Sequence, residues 1–336
     1  MRTILLLATI GFVSAAQAAP LPDKTYRHPA KLVAVDGARR LNLFCMGHGG
    51  PTVLFDSGLA DSTMAWLKVQ GEIAKVTRAC SYNRAGIGFS DPRTGDSDTS
   101  AIVADIHALL AAARIKTPIL FVGHSMAGLD ALLLQATHPQ DVAGAVLVDP
   151  SMANQFDAAA DAAIAAGAPP VLRDAMLASY HKDIARMREC AGLAAPLPPD
   201  CATTDTRLSA PLASFKKSQE SRPGYLMANA SEYESMLPTA QRKGADQKEL
   251  EAAAPNFGDK PLIVLTHGKA PVYPGLTAAQ NAAIEKAWGD GHDRLAALST
   301  RGSNTVVPDS GHSIQHEKPQ AVIDAIQKAI AMLRRR

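Results

Sequence analysis

Residues 119–134, ILFVGHSMAGLDALLL, constrain the fold of this chain more than any other stretch. Four apolar residues, 119–122, read as a short buried strand. A glycine-flanked segment, Gly123-His124-Ser125-Met126-Ala127-Gly128, follows. Leu129, Leu132 and Leu133 then recur at helical spacing until Pro139. A serine between such a strand and helix occupies a sharp turn that lifts its hydroxyl clear of its neighbours. The helix N-terminus beside it offers free amides that stabilise developing negative charge. The second glycine of a G-x-S-x-G pattern is displaced, with Ala127 in its place and Gly128 one residue later. Ser125 is therefore the candidate nucleophile, and the amide of Met126 a candidate oxyanion donor.

The ends and composition narrow the setting. Arg2, an apolar run over 4–13 and Ala16-Gln17-Ala18 have the layout of an export signal cleaved after Ala18. The run is shorter than the about twenty residues a membrane-spanning helix needs, so an exported protein, periplasmic or secreted, is expected. The formal charge of +2 and the confinement of clustered basic residues to the C-terminal Arg334-Arg335-Arg336 argue against a nucleic-acid partner. Four cysteines in an exported chain invite disulfides. Cys190 and Cys201 flank a proline-rich loop and are expected to pair. Cys45 and Cys80, in two strand-like stretches, form the second expected pair, with buried free thiols as the alternative there. No Cys/His spacing resembles a zinc site, and no metal or organic cofactor is expected.

Strand-like segments at 31–35, 40–46, 51–56, 78–82 and 143–148 alternate with helical patterns, among them 99–113 and an amphipathic helix capped by Asp61/Ser62 with Trp66, Val69 and Ile73 inward. The alternation stops from 151 to 258, where Ala- and Met-rich helical stretches cover 158–166, 171–187 and 225–237. It resumes with strands at 262–266 and 304–307 and helices at 278–298 and 319–333. A helical block inside an alternating chain reads as a cap inserted in a doubly wound sheet. The expected organisation is a leader over 1–18, a core in two parts, 19–150 and 259–336, and a cap over 151–258.

A serine hydroxyl needs a base within hydrogen-bond reach. His312, in the loop PDSGH just past the last strand, is the best of the ten histidines because it falls at the same sheet edge as Ser125. Activity is then expected to fall on acidification.

With these pieces assembled, the chain resembles the α/β-hydrolase superfamily over nearly all of its length after the leader. The matching motifs are DSGLADS, YNRAGIGFSDP, GHSMAG, VLVDP and SGHSIQHEKP. The resemblance implies an eight-stranded, mostly parallel sheet and the chain order serine, acid, histidine. It also implies a small-molecule ester substrate, with an amide or peptide hydrolase and a non-catalytic binding protein as alternatives. Dehalogenase and epoxide-hydrolase chemistry is disfavoured, since both use an aspartate where Ser125 stands. The acid of many relatives follows the seventh strand, but THGKAPVYPG holds no carboxylate there. Asp149, at the family's alternative position after the sixth strand, is the expected acid, ahead of Glu285, Asp290 and Asp309. The second oxyanion donor implied by the resemblance is the amide of Leu59. Blander roles are expected elsewhere. Arg84, Gly86, Gly88 and Ser90 shape a turn, and His124 packs beside the elbow. His316 and Glu317 cap the final helix, and His48 and His267 lie on the surface. Met176, Tyr180, Met187, Tyr225, Met227, Tyr233 and Met236 line an acyl pocket or belong to the cap core.

Overall fold

Short apolar runs with both faces to bury form central strands of a mostly parallel sheet, and helices must then cover each face. The computed structural model describes residues 19–239 and 243–335, so the expected leader over 1–18 lies outside the described residues. In chain order come β1 (Lys31–Ala34), β2 (Arg40–Met46), β3 (Val53–Asp56), α1 (Gln70–Ile73), β4 (Ala79–Tyr82), α2 (Thr99–Ala112), β5 (Ile119–His124), α3 (Ala127–Thr137) and β6 (Val142–Val148). Five helices follow: α4 (Gln155–Ala165), α5 (Leu172–Ala191), α6 (Ala210–Glu220), α7 (Pro223–Met236) and α8 (Ala245–Ala253). The chain closes with β7 (Leu262–His267), α9 (Ala278–Ala296), β8 (Gly302–Val307), α10 (Ile314–Glu317) and α11 (Pro319–Arg334).

The eight strands form one sheet in the order β1-β2-β4-β3-β5-β6-β7-β8. Only β2 runs against its neighbours. Alternate residues of each central strand enter opposite cores. Phe121 and Leu147 pack with Ile106 of α2 and Leu132 of α3 on one face. Leu120, Val122 and Val148 pack with Trp66, Ile73 and Ile326 of α11 on the other. The sheet is doubly wound, with a helical insert between β6 and β7.

Some local expectations needed correction. The stretch after β3 is not one amphipathic helix. Ser62 caps a 3-10 turn over Thr63–Trp66, and α1 is a separate short helix, although Trp66, Val69 and Ile73 are all fully buried. Within the insert, α8 packs back on α2 and α3 and sends Leu250 into the main core. α5 packs on α7, and α4 on α9. His316 lies in the separate helix α10 and is buried, while Glu317 accepts from the Gly311 amide.

Both cysteine pairs are disulfide-bonded. Cys45 and Cys80 face each other across the antiparallel β2–β4 pair. Cys190–Cys201 ties the end of α5 to the proline-rich loop. No helix among the described residues is long and apolar enough to cross a membrane.

Candidate active site

In an open α/β sheet, the loops leaving the carboxyl ends of parallel strands converge on one edge, and functional groups gather there. Ser125 follows β5 with φ +53°, a left-handed conformation that a side chain disfavours and that the strand–helix junction imposes. The displaced glycine has a steric reason. A Cβ on Gly128 would lie 2.5 Å from the Pro150 Cβ, whereas Ala127 is accommodated and fully buried. Glycine is thus needed at 128, where α3 meets the chain leaving β6.

Ser125 Oγ is 2.9 Å from His312 Nε2, and His312 Nδ1 is 2.5 Å from Asp149 Oδ2. The three residues come from the ends of β5, β8 and β6, and they form one hydrogen-bonded line. Asp149 is fully buried and also has a positive φ, +45°. Burial alone would raise its pKa. The hydrogen bonds and charges of His267 and His312 outweigh burial and hold the carboxyl well below its ordinary range. A neutral His312 that donates Nδ1–H to this carboxylate turns its Nε2 lone pair to the serine hydroxyl, the tautomer a general base needs.

Around Ser125 the backbone is arranged for charge. Gly58, in the loop after β3, packs against the elbow; a Cβ there would lie 3.1 Å from the Ser125 Cβ. Arg84 donates to the carbonyls of Ser57 and, at 2.7 Å, of Gly58. In a trans peptide the N–H points opposite to the C=O, so a Gly58 carbonyl held by Arg84 turns the Leu59 N–H away from Arg84. Among the described residues neither Leu59 N nor Met126 N has an acceptor. These two amides, one directly after Ser125 and one in the loop whose Gly58 packs on the elbow, are free to receive an oxyanion. Arg84 is thus more than a turn-shaping residue. Its guanidinium is buried between Asp56 (2.8 Å) and Glu232 of α7 (2.8 Å), and these partners hold it charged against the opposing effect of burial.

His124 donates from Nε2 to the His312 carbonyl at 3.0 Å, and its ring lies tilted against the His312 ring, with centroids 4.8 Å apart. Burial, and to a lesser degree His312, push its pKa down to about 3, so it is a neutral brace for the loop carrying His312. Above the line lies a cavity of about 340 Å³, the scale of a small-molecule site. Met152, Phe156, Met176, Tyr180, Ile284 and Trp288 give it apolar walls. Of the cap residues proposed from sequence, Met176 and Tyr180 reach it. Met187 and Tyr233 instead pack inside the helical insert, Tyr225 packs beside the Cys190–Cys201 bridge, Met236 enters the main core and Met227 is exposed.

The sequence profile of the alpha/beta hydrolase family matches residues 43–325, most of the chain. The chain belongs to that family. Over 299 residues it is 23% identical to the uncharacterized protein YqjL of Bacillus subtilis (strain 168), covering 88% of this chain and 90% of that one. Among solved structures it is similar to a candidate epoxide hydrolase from Pseudomonas aeruginosa, with a TM-score of 0.61 and 17% identity over 90% of this chain and 96% of that one. It is also similar to a thermophilic esterase from Thermogutta terrifontis, with a TM-score of 0.56 and 19% identity over 90% and 97%. At these identities the structures share the fold.

In this alpha/beta hydrolase the expectation for His267 is overturned. It is not a surface residue but the buried last residue of β7, 5% exposed, and its Nδ1 lies 2.7 Å from Asp149 Oδ2. Glu285 does not contact Asp149; it meets the far nitrogen of His267 at 3.2 Å. Trp288 Nε1 also donates to Asp149, at 3.1 Å. A positional signal for His267 existed: it ends β7, the strand paired with β6, whose end leads into Asp149. Asp149, His267 and His312 have ligand-type atoms within 4.8 Å of one another. The two Nδ1–Oδ2 separations are nonetheless hydrogen-bond lengths. Ligands of a tetrahedral zinc with bonds of 2.0–2.1 Å stand about 3.3 Å apart, so these groups would have to separate to hold an ion.

Proposed function

We propose that this protein hydrolyses carboxylic esters through an acyl-enzyme on Ser125. The observation that carries the reading is the hydroxyl–imidazole–carboxylate line of Ser125, His312 and Asp149 at the floor of an apolar cavity. Ser125 Oγ attacks the ester carbonyl while its proton passes to His312 Nε2. Asp149 accepts from Nδ1–H and stabilises the imidazolium that forms. The carbonyl oxygen becomes an oxyanion held by the amides of Leu59 and Met126; one such donor contributes about 3 kcal/mol to lowering the barrier. Collapse expels the alcohol, which takes the proton from His312. Water, deprotonated by the same imidazole, then attacks the acyl-enzyme and releases the acid and Ser125. A serine at the elbow supplies no carboxylate nucleophile, which disfavours epoxide opening through an ester intermediate.

The cavity's apolar walls favour an ester with an apolar acyl or alcohol group. Export to a periplasmic or extracellular space is supported by the two disulfides and by the leader-like residues 1–18. The test is fluorophosphonate labelling together with a screen of chromogenic esters and amides of varied acyl length. The expected result is one label on Ser125, lost in Ser125→Ala, with ester turnover abolished by the same change. Turnover of amides in preference to esters would make it an amidase. No label and no turnover would leave a binding protein on this fold.

A further inference from the structure

Asp149 receives more donors than a base-orienting carboxylate requires. Oδ2 accepts from His312 Nδ1 and His267 Nδ1, while Oδ1 accepts from the His267 backbone N–H at 3.0 Å and from Trp288 Nε1 at 3.1 Å. His267 itself lies between two carboxylates, Asp149 at Nδ1 and Glu285 at Nε2. A neutral imidazole has one N–H, so one ring nitrogen would turn a lone pair toward an acceptor. With both carboxylates ionised, only the imidazolium satisfies both contacts.

We propose that His267 is a positioning residue: an imidazolium anchored on Glu285 that donates from Nδ1 to Asp149 Oδ2 beside His312 and, with its own backbone N–H on Oδ1, holds the carboxylate on the His312–Ser125 line. The proposal rests on the esterase reading, which it extends from three residues to five. Its charge arithmetic explains Glu285. A cation placed on Asp149 would by itself cancel the negative charge that stabilises the His312 imidazolium. Glu285 restores that charge, so Asp149, His267 and Glu285 together present one net negative charge to His312, as a lone aspartate would. Other ionisable groups packed around His267 are consistent with this. His292 of α9 is bonded to Thr266 Oγ1 and the Pro150 carbonyl and is kept neutral by burial. Tyr273, from the β7–α9 loop, lines the cavity with Glu285 and has its pKa raised by burial. Burial would lower the pKa of His267, but the bonds to Asp149 and Glu285 raise it to about 10.

The experiment combines histidine-selective ¹⁵N labelling of the whole protein with kinetics on a chromogenic ester. His267 signals are assigned by their loss in His267→Gln. At pH 7 both ring nitrogens of His267 are expected to carry protons, and to keep them until about pH 10. His267→Gln is expected to lower kcat roughly tenfold to a hundredfold with KM little changed, as loss of alignment does. Glu285→Gln removes the compensating charge. It should move both the His267 titration and the acid limb of the kcat/KM profile to lower pH, whereas Glu285→Asp retains the wild-type limb. A purely packing role moves neither. One unprotonated His267 nitrogen at pH 7, or a Glu285→Gln profile that coincides with wild type, overturns the proposal. Glu285 reaches the cavity wall and its replacement spares the core, so this arm stands if His267→Gln fails to fold. Failure of the esterase reading is seen separately, as absence of phosphonate labelling on Ser125 in the unaltered protein, and the ¹⁵N measurement still decides the state of His267.

Discussion

Replacing Asp149 by asparagine probes the hydrogen-bonded line where it is most tightly determined. The side chain keeps its shape and loses its charge, but no orientation of the amide can satisfy its surroundings. All four contacts to the carboxylate are N–H donors, two on each oxygen. If the amide nitrogen takes the Oδ2 position, it sets N–H against His267 and His312. If it takes the Oδ1 position, it faces the His267 backbone N–H and the Trp288 indole. His312 can relieve the first clash by moving its proton to Nε2, which puts N–H toward Ser125 Oγ and removes the base. A wrong tautomer of this kind costs a serine-triad enzyme about 10⁴-fold in kcat, or about 5.4 kcal/mol of barrier. The same change leaves the His267 cation short of a buried counter-charge, a loss of about 3–5 kcal/mol in stability for a broken buried pair. The assay is kcat/KM on a chromogenic ester together with the rate of phosphonate labelling, at a temperature where urea titration shows the variant folded. Asp290→Asn serves as the control, because Asp290 pairs only with Lys286 on the surface of α9 among the described residues. A fall of less than tenfold for Asp149→Asn, in folded protein, would refute the assignment of Asp149 and require another carboxylate.

Other outcomes follow from contacts of the same kind. Arg84→Met is expected to destabilise the protein by about 3–5 kcal/mol in urea denaturation, because it strands Asp56 and Glu232 in the core; turnover should fall further than unfolding explains, since the Gly58 carbonyl loses its anchor. Joint replacement of Cys190 and Cys201 by alanine should cost ~3 kcal/mol by the chain-entropy account of a loop of this length, lowering the thermal midpoint while leaving the pH profile of ester turnover unchanged.

The parts of the site legible in the sequence are those written in short, local patterns. The elbow is a strand, a turn and a helix within about sixteen residues, so Ser125 could be nominated from spacing alone. His312 and Asp149 could be nominated because each follows a recognisable strand, and parallel strands deliver their ends to one edge of a sheet. Both disulfide partners of Cys45 and Cys190 were readable as well, one from flanking strands and one from a loop in need of closure. The helices α6 and α8 were not, because their large apolar residues, Leu212 and Phe215 in one and Leu250 in the other, are too few to set a period.

What only the tertiary structure decided lies in contacts between side chains remote in the chain. That His267 turns inward to Asp149 depends on β7 lying beside β6, and that its other nitrogen finds Glu285 depends on how α9 packs against β7. Likewise, Arg84 meets Asp56 only because β3 lies beside β4, and meets Glu232 only because α7 of the helical insert packs over that loop. The amino-acid order by itself determined the alternating architecture and the three candidate residues Ser125, Asp149 and His312, because backbone period and turn chemistry act over a few residues. The charge balance around Asp149 was decided by packing, because Coulomb and hydrogen-bond energies depend on distances that no run of neighbouring residues specifies.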